Sequence, residues 1–301
     1  MSGFDAAVRP FADALAALVF FEIEIAGASL PLVVLWLVAG GVYFTLLFRF
    51  VNIRGLRHAI ALLRTPATRG PGEVSHFQAL STAISGTVGI GNIGGVAVAV
   101  SIGGPGAAFW MILAGFLGMS TKFVECSLGV LYRREHEDGS VSGGPMYYLE
   151  RGLGERGWHR LGRILGVFYA AGIVVGCLGI GNMFQSNQAF AQLVGISGGE
   201  QSWFADKGWL VGLLIAALVA AVIIGGIRSI ARVTARLVPF MAVLYLAGAT
   251  LLLLANSEAI GWAYGQMITG AFRPEGAAGG ALGAMIIGFQ RAVFSNEAGI
   301  G

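Results

Sequence analysis

Between Ala83 and Gly95 the chain reads Ala-Ile-Ser-Gly-Thr-Val-Gly-Ile-Gly-Asn-Ile-Gly-Gly, five glycines with Ser85, Thr87 and Asn92 inside an otherwise apolar stretch. A second such passage runs from Gly288 to Gly299 and carries Gln290, Arg291, Phe294, Ser295, Asn296 and Glu297. None of these groups is an activated nucleophile; what hydroxyls, amides and free backbone do well is hold ligands and ions. Each interior glycine costs a helix about 1 kcal/mol relative to alanine. Unwinding there would expose N–H and C=O groups that hydrocarbon cannot satisfy, so protein, ligand or ion must do so. Close helix packing through small residues such as Gly91 and Gly95 fits the same composition equally well.

The ionisable residues in apolar surroundings are few. Glu297 is a functional candidate because a charge inside a membrane is expensive unless it is met, and coupling and structural pairing fit it equally. Arg291, six residues earlier, lies about 9 Å away along a continuous helix. Lys122 and Glu125 are spaced i,i+3, which suits a structural pair on one helix face. His58, His76, His136 and His159 all fall in or beside basic segments. Cys126 and Cys177 lie within apolar runs and read as small hydrophobes, with neither a disulfide framework nor metal spacing. Gly89-Ile90-Gly91 lacks the strand that a dinucleotide fingerprint requires. Paired carboxylates, a Ser/His pair and a His cluster are missing from the apolar runs, so the chain is not expected to be an enzyme and needs no cofactor.

The elements that must position these groups follow from composition. Of 301 residues 56% are apolar and 12% charged, with a mean hydropathy of +0.76, against about 25% charged in soluble domains. That excludes a soluble globular fold, and a bilayer must cover the excess apolar surface. Seven apolar stretches approach the roughly 20 residues a transmembrane helix needs: Leu30 to Phe48, Phe77 to Ile102, Ala107 to Tyr132, Ile164 to Gln185 or beyond, Trp209 to Ile227, Leu237 to Ala255, and Gly279 onward. Phe11 to Ile25 mixes apolar residues with Asp13, Glu22 and Glu24 and reads as an interfacial amphipathic helix. Residues 1–28 are thus expected to form an interfacial segment and 29–301 a transmembrane domain. Gly143 to Gly154 reads as a short cytoplasmic helix.

Fourteen of the nineteen basic residues fall after the first, third and fifth stretches: Arg49, Arg54, Arg57, Arg64 and Arg69; Arg133, Arg134, Arg151, Arg156, Arg160 and Arg163; Arg228, Arg232 and Arg236. The bias places those segments in the cytoplasm and the amino terminus outside. It explains the pI near 9.1 without nucleic acid as a partner. The two glycine-marked passages stand five stretches apart and run in opposite directions, the pattern of an inverted-repeat transporter whose repeats each open on a discontinuous helix.

Four ordered motifs then carry a resemblance. Phe77-Gln78-Ala79-Leu80-Ser81-Thr82 through Val88-Gly89-Ile90-Gly91-Asn92-Ile93, Gly143-Gly144-Pro145-Met146-Tyr147-Tyr148, Gly181-Asn182-Met183-Phe184-Gln185-Ser186-Asn187, and Phe294-Ser295-Asn296-Glu297-Ala298-Gly299 together resemble the alanine or glycine:cation symporter family from about residue 30 onward. Ile90 stands where many relatives carry threonine, a change that a backbone role tolerates.

The resemblance implies an all-α LeuT-type five-plus-five fold, with an extra first span, a complete first repeat and the opening helix of the second. It implies symport of alanine, glycine or a similar small neutral amino acid with Na⁺, in some relatives H⁺, by alternating access in a bacterial cytoplasmic membrane. A channel or pore-forming subunit is the competing reading. Family members continue past the last motif, so a chain of this length is expected to be a fragment that does not transport alone. By the same resemblance the backbone amides of Ile90 and Gly91 meet the substrate carboxylate. Thr87, Gly89, Asn92, Gln185, Phe294, Ser295 and Asn296 complete the substrate contacts, and the carbonyls of Ser85, Thr87 and Val88 with the Asn92 side chain hold Na⁺. Gln185 suits the ammonium and carboxylate together, since a glutamine amide both accepts and donates.

Overall fold

The computed structural model describes residues 9, 10, 13, 17, 21–25, 28–64, 74–177, 182–272 and 280–299. Its elements begin with β1 (Glu22–Ile25), β2 (Ala28–Pro31), α1 (Leu32–Leu47), α2 (Val51–Arg54), α3 (Leu56–Arg64), α4 (His76–Thr87), α5 (Ile90–Gly103) and α6 (Gly106–Leu131). They continue with β3 (Arg134–Glu135), β4 (Val141–Ser142), α7 (Pro145–Glu155), α8 (His159–Cys177), α9 (Asn182–Ile196), α10 (Gly208–Ile223), α11 (Gly226–Ala255), α12 (Ser257–Phe272) and α13 (Gly280–Asn296). The fold is therefore predominantly helical.

Among the described residues four helical stretches are long and apolar enough to cross a membrane: 76–103, 106–131, 159–196 and 226–255. A fifth is counted if α1 and the bent helix that follows it form one span. Helix α10 and residues 280–293 are apolar but shorter. Side chains such as Trp36, Phe168, Ile224 and Leu252 are at least two-thirds exposed, apolar surface of the kind that meets lipid or other protein.

Three expectations are corrected. The segment Phe11 to Ile25 does not end as a helix: Glu22-Ile23-Glu24-Ile25 pairs antiparallel with Ala28–Pro31, Glu22 opposite Pro31 and Ile25 opposite Ala28. Alternating glutamate and isoleucine has the period of a strand and a β-branched residue at every second place. Residues 257–272, outside all seven apolar stretches, form α12, whose Glu258 and Gln266 dilute an otherwise apolar helix. Arg228, Arg232 and Arg236 belong to α11 and not to a loop. At 30 residues that helix is about 45 Å long, longer than the roughly 30 Å hydrocarbon core, so its basic first turns can stand beyond the core.

The chain divides into two compact units, one drawn from residues 1–56, 91–124 and 253–300, the other from 57–90 and 125–252. The first unit packs around Ala99, Ala107, Met111 and Ala292, with Val96, Ala114 and Ile287 against them. Small residues let the backbones approach, as expected where lipid offers no hydrophobic drive between helices. Trp110 Nε1 donates to Ala271 O at 3.2 Å, and its ring meets Phe272 and Phe289 edge-on or tilted. A β-carbon on Gly288 would lie 2.7 Å from both Ala107 O and Trp110 Cβ. Gly288→Ala should therefore lower stability by about 1–3 kcal/mol, read as a drop in the thermal midpoint of the detergent-solubilised protein. An unchanged midpoint would mean that this contact relaxes freely. Buried Thr45 Oγ1 donates to Gly41 O at 2.7 Å and lies within hydrogen-bond distance, 3.0 Å, of the Ser120 hydroxyl. Buried Asn52 donates to Phe116 O. Together these bonds fix α1 and α2 on α6.

In the second unit, α7 is the short helix expected near Gly143 to Gly154. Gly144 at φ 114° is its N-cap and Pro145 its first residue, a position where proline's missing N–H costs nothing. The helix lies tightly on α8. Cβ atoms at Gly162 and Gly166 would come within 2.7 Å of Leu149 O and 3.0 Å of Met146 O, a small-xxx-small approach. Arg151 donates to Arg133 O at 3.1 Å. Burial, with the nearby Glu125 carboxylate, pushes the Tyr148 phenol up to about 12. The β3–β4 hairpin closes on Asp138, whose carboxylate accepts from Ser140 Oγ and N; those bonds hold it below the usual carboxylate range.

Candidate functional site

The helix expected at residues 77–102 is broken at the glycine-rich passage. Helix α4 starts at a capping box in which Ser75 Oγ accepts from Gln78 N at 3.3 Å and Ser75 N donates to Gln78 Oε1 at 2.9 Å. It ends at Thr87. Val88 N donates to Ile84 O in the last rung, and Val88 itself is extended at φ −99°, ψ 102°. Helix α5 begins two residues on at Ile90. Helix α4 therefore ends in carbonyls that lack intrahelical partners, and α5 opens on N–H groups that lack them, with only Val88 and Gly89 between the two in the chain. Free carbonyls suit a cation and free N–H groups an anion.

In the second unit the Ser85 hydroxyl donates to Thr82 O at 2.6 Å and the Thr87 hydroxyl to Ala83 O at 2.5 Å. Both hydroxyls thereby keep their oxygen lone pairs at the break. A Cβ on Gly89 would meet Gln185 Nε2 at 3.2 Å and Oε1 at 3.8 Å, so the carboxamide of α9 sits directly on the unwound segment. Gln185 is otherwise exposed. Sequence reading did not anticipate the hydroxyl bridge between Thr82 and Thr234, 3.1 Å apart, which fastens α4 to α11. Two threonines 152 positions apart carry no local sign of contact.

In the first unit Asn92 Oδ1 accepts from the Ser295 hydroxyl. Gly91 lies against the same residue, with a Cβ there reaching Ser295 Cα at 3.4 Å. The opening turn of α5 and the last turn of α13 are therefore joined through three residues singled out from sequence. Asn296 Nδ2 lies beside α6, 3.6 and 3.8 Å from where Cβ atoms of Gly115 and Gly118 would stand. It borders a cavity of about 30 Å³ shared with Thr121 and Ala298, room for about one or two waters. Helix α13 ends at Asn296; Glu297 is exposed at φ 49° and Gly299 follows at φ 91°. The Phe294 side chain lies outside the described residues, as does Gly181 of the third motif. Among the described residues no group of three or more His, Cys, Asp or Glu could hold a metal ion. Any cation would rest on carbonyl, hydroxyl and amide oxygens.

The sequence profile of the sodium:alanine symporter family matches residues 18–301. The chain belongs to that family. Its members are transporters, not enzymes. It is 40% identical over 274 residues to the sodium/alanine symporter AgcS of Methanococcus maripaludis, covering 90% of this chain and 58% of the relative. An uncharacterized transporter of Haemophilus influenzae is 41% identical over 276 residues, with the same coverage. The probable sodium/glutamine symporter GlnT of Bacillus subtilis is 34% identical over 272 residues, 90% of this chain and 54% of its own length. The chain thus spans somewhat over half the length of these relatives.

Proposed function

We propose that the protein works in Na⁺-coupled symport of a small neutral amino acid, alanine or glycine, by alternating access in the cytoplasmic membrane. The observation that carries this reading is the break at Val88 and Gly89, where α4 has ended at Thr87 and α5 begins at Ile90; the carbonyls freed there suit a cation and the amides a carboxylate. In the LeuT-type arrangement proposed here, α4 with α5 opens the first five-helix repeat and α13 opens the second. The amides of Ile90 and Gly91 take the substrate carboxylate, and Gln185 its polar head. Thr87, Gly89, Phe294, Ser295 and Asn296 line the substrate. Na⁺ takes the carbonyls of Ser85, Thr87 and Val88 and the Asn92 carboxamide. Relatives named for sodium/alanine and sodium/glutamine symport support an amino acid and Na⁺ as the pair.

The test is uptake of radiolabelled alanine into proteoliposomes after an imposed sodium jump. The expected result is uptake that saturates with alanine and collapses when the sodium gradient is dissipated. Flux that rises linearly with alanine and ignores the gradient would overturn symport in favour of a pore.

A further inference from the structure

The chain leaves α1 at Phe48–Phe50, where Arg49 and Phe50 take φ of 49° and 58°, and the helix that follows, Val51–Arg64, departs from α1 by 63°. Asn52, 8% exposed and bonded to Phe116 O, anchors its first turn. From Leu56 to Arg64 no residue is buried, although Leu56, Ile60 and Leu63 are large and apolar. At 100° per residue, Ile53, Leu56, Ala59, Ile60 and Leu63 share one side. Arg54, Arg57, His58 and Arg64 share the other, with Ala61 among them and Leu62 next to His58.

We infer that this helix lies in the cytoplasmic face of the bilayer and binds anionic phospholipid headgroups, its leucine and isoleucine side in the acyl boundary and its arginines on the phosphates. Three things favour a lipid surface over another occupant. The 16-residue apolar α1, the first of the membrane stretches read from the sequence, is joined to the helix by only three residues, which holds it near the bilayer. Apolar and basic sectors lie side by side, the pattern that buries one face in acyl chains while the other meets charged headgroups. The cytoplasmic leaflet is the negatively charged one. The inference rests on the proposed orientation, with residues 49–76 inside.

The experiment uses the full-length protein with Cys126→Ala and Cys177→Ala, carrying a nitroxide at Ile60→Cys or at His58→Cys. It is reconstituted in phosphatidylcholine vesicles with increasing phosphatidylglycerol. With the anionic lipid present, the label at 60 should be relaxed mainly by oxygen and the label at 58 mainly by a water-soluble nickel chelate. This contrast should shrink in phosphatidylcholine alone. An arginine near an anionic surface changes partitioning about fivefold, so Arg57→Gln should raise the phosphatidylglycerol content needed for the contrast by that factor. Arg134→Gln, in another basic segment, should not. Equal wetting of both labels, a contrast indifferent to lipid charge, or shielding of both labels from both reagents by a protein segment would each overturn the inference. So would restoration of the contrast in phosphatidylcholine by inorganic phosphate, which would mark a free-anion site. A cytoplasmic reporter should be active at Gly139 and silent at Gly199. The reverse result would fail the orientation separately, whatever the lipid dependence.

Discussion

Asn92→Ala should raise the sodium concentration for half-maximal alanine uptake by about 10- to 100-fold while moving the alanine half-saturation much less, and Gln185→Ala should do the converse. A hydrogen bond or ligand contact to a charged partner is worth about 1.5–3 kcal/mol, which is that range of affinity. The two residues are assigned to different ions, so their losses should appear on different axes. Asn92 also accepts the hydroxyl of Ser295, which is only 7% exposed, and its removal strands that hydroxyl. Ser295→Ala therefore serves as the companion: it removes the donor, leaves the Asn92 carboxamide in place, and should alter sodium dependence far less. Titrations of uptake in sodium at saturating alanine, and in alanine at saturating sodium, provide the readout. If Asn92→Ala and Ser295→Ala lose stability together and leave the sodium titration unchanged, Asn92 is a packing residue that joins α5 to α13.

Gly89→Ala should weaken alanine affinity about tenfold in the native background and hardly at all when Gln185 is already alanine. A new Cβ at Gly89 falls 3.2 Å from Gln185 Nε2, tight enough to push a flexible carboxamide out of position without requiring the backbone to shift. The φ of Gly89 lies outside the left-handed region, so alanine itself is not strained there. Neighbours that act through one group give non-additive effects in a double-mutant cycle. The coupling should equal most of the single-mutant loss. Additive losses would show instead that Gly89 matters for the shape of the break and not for the placement of Gln185.

Much of this arrangement can be read from local chemistry. Five glycines within Ala83 to Gly95 make an uninterrupted helix costly while suiting close packing equally well, and the break lies among them. Pro145 after two glycines announces the start of α7. The hairpin at Glu22–Ile25 escaped because acidic residues in an apolar run were weighed as a helix face, when their strict alternation was the better guide. Helix α12 escaped because Glu258, Gln266 and its glycines lower its apolar average below that of its neighbours. The Asn92–Ser295 bond joins residues 203 positions apart, and Gln78 serves as the reciprocal partner of Ser75. The former contact exists only once the helices are packed. The latter was visible as a serine followed three residues later by glutamine, a helix-start signature overlooked because its motif suggested a functional role.

The seat of α7 on α8 bears on how closely two helices can approach. With Gly162 and Gly166 close against the carbonyls of Leu149 and Met146, and Leu153 Cβ beside Gly162, the glycines leave no room for a side chain of their own on α8. The pair is seated backbone on backbone, and the Tyr132 hydroxyl, which donates to Glu155 at 3.0 Å, ties the carboxyl end of α7 to the residue that follows α6.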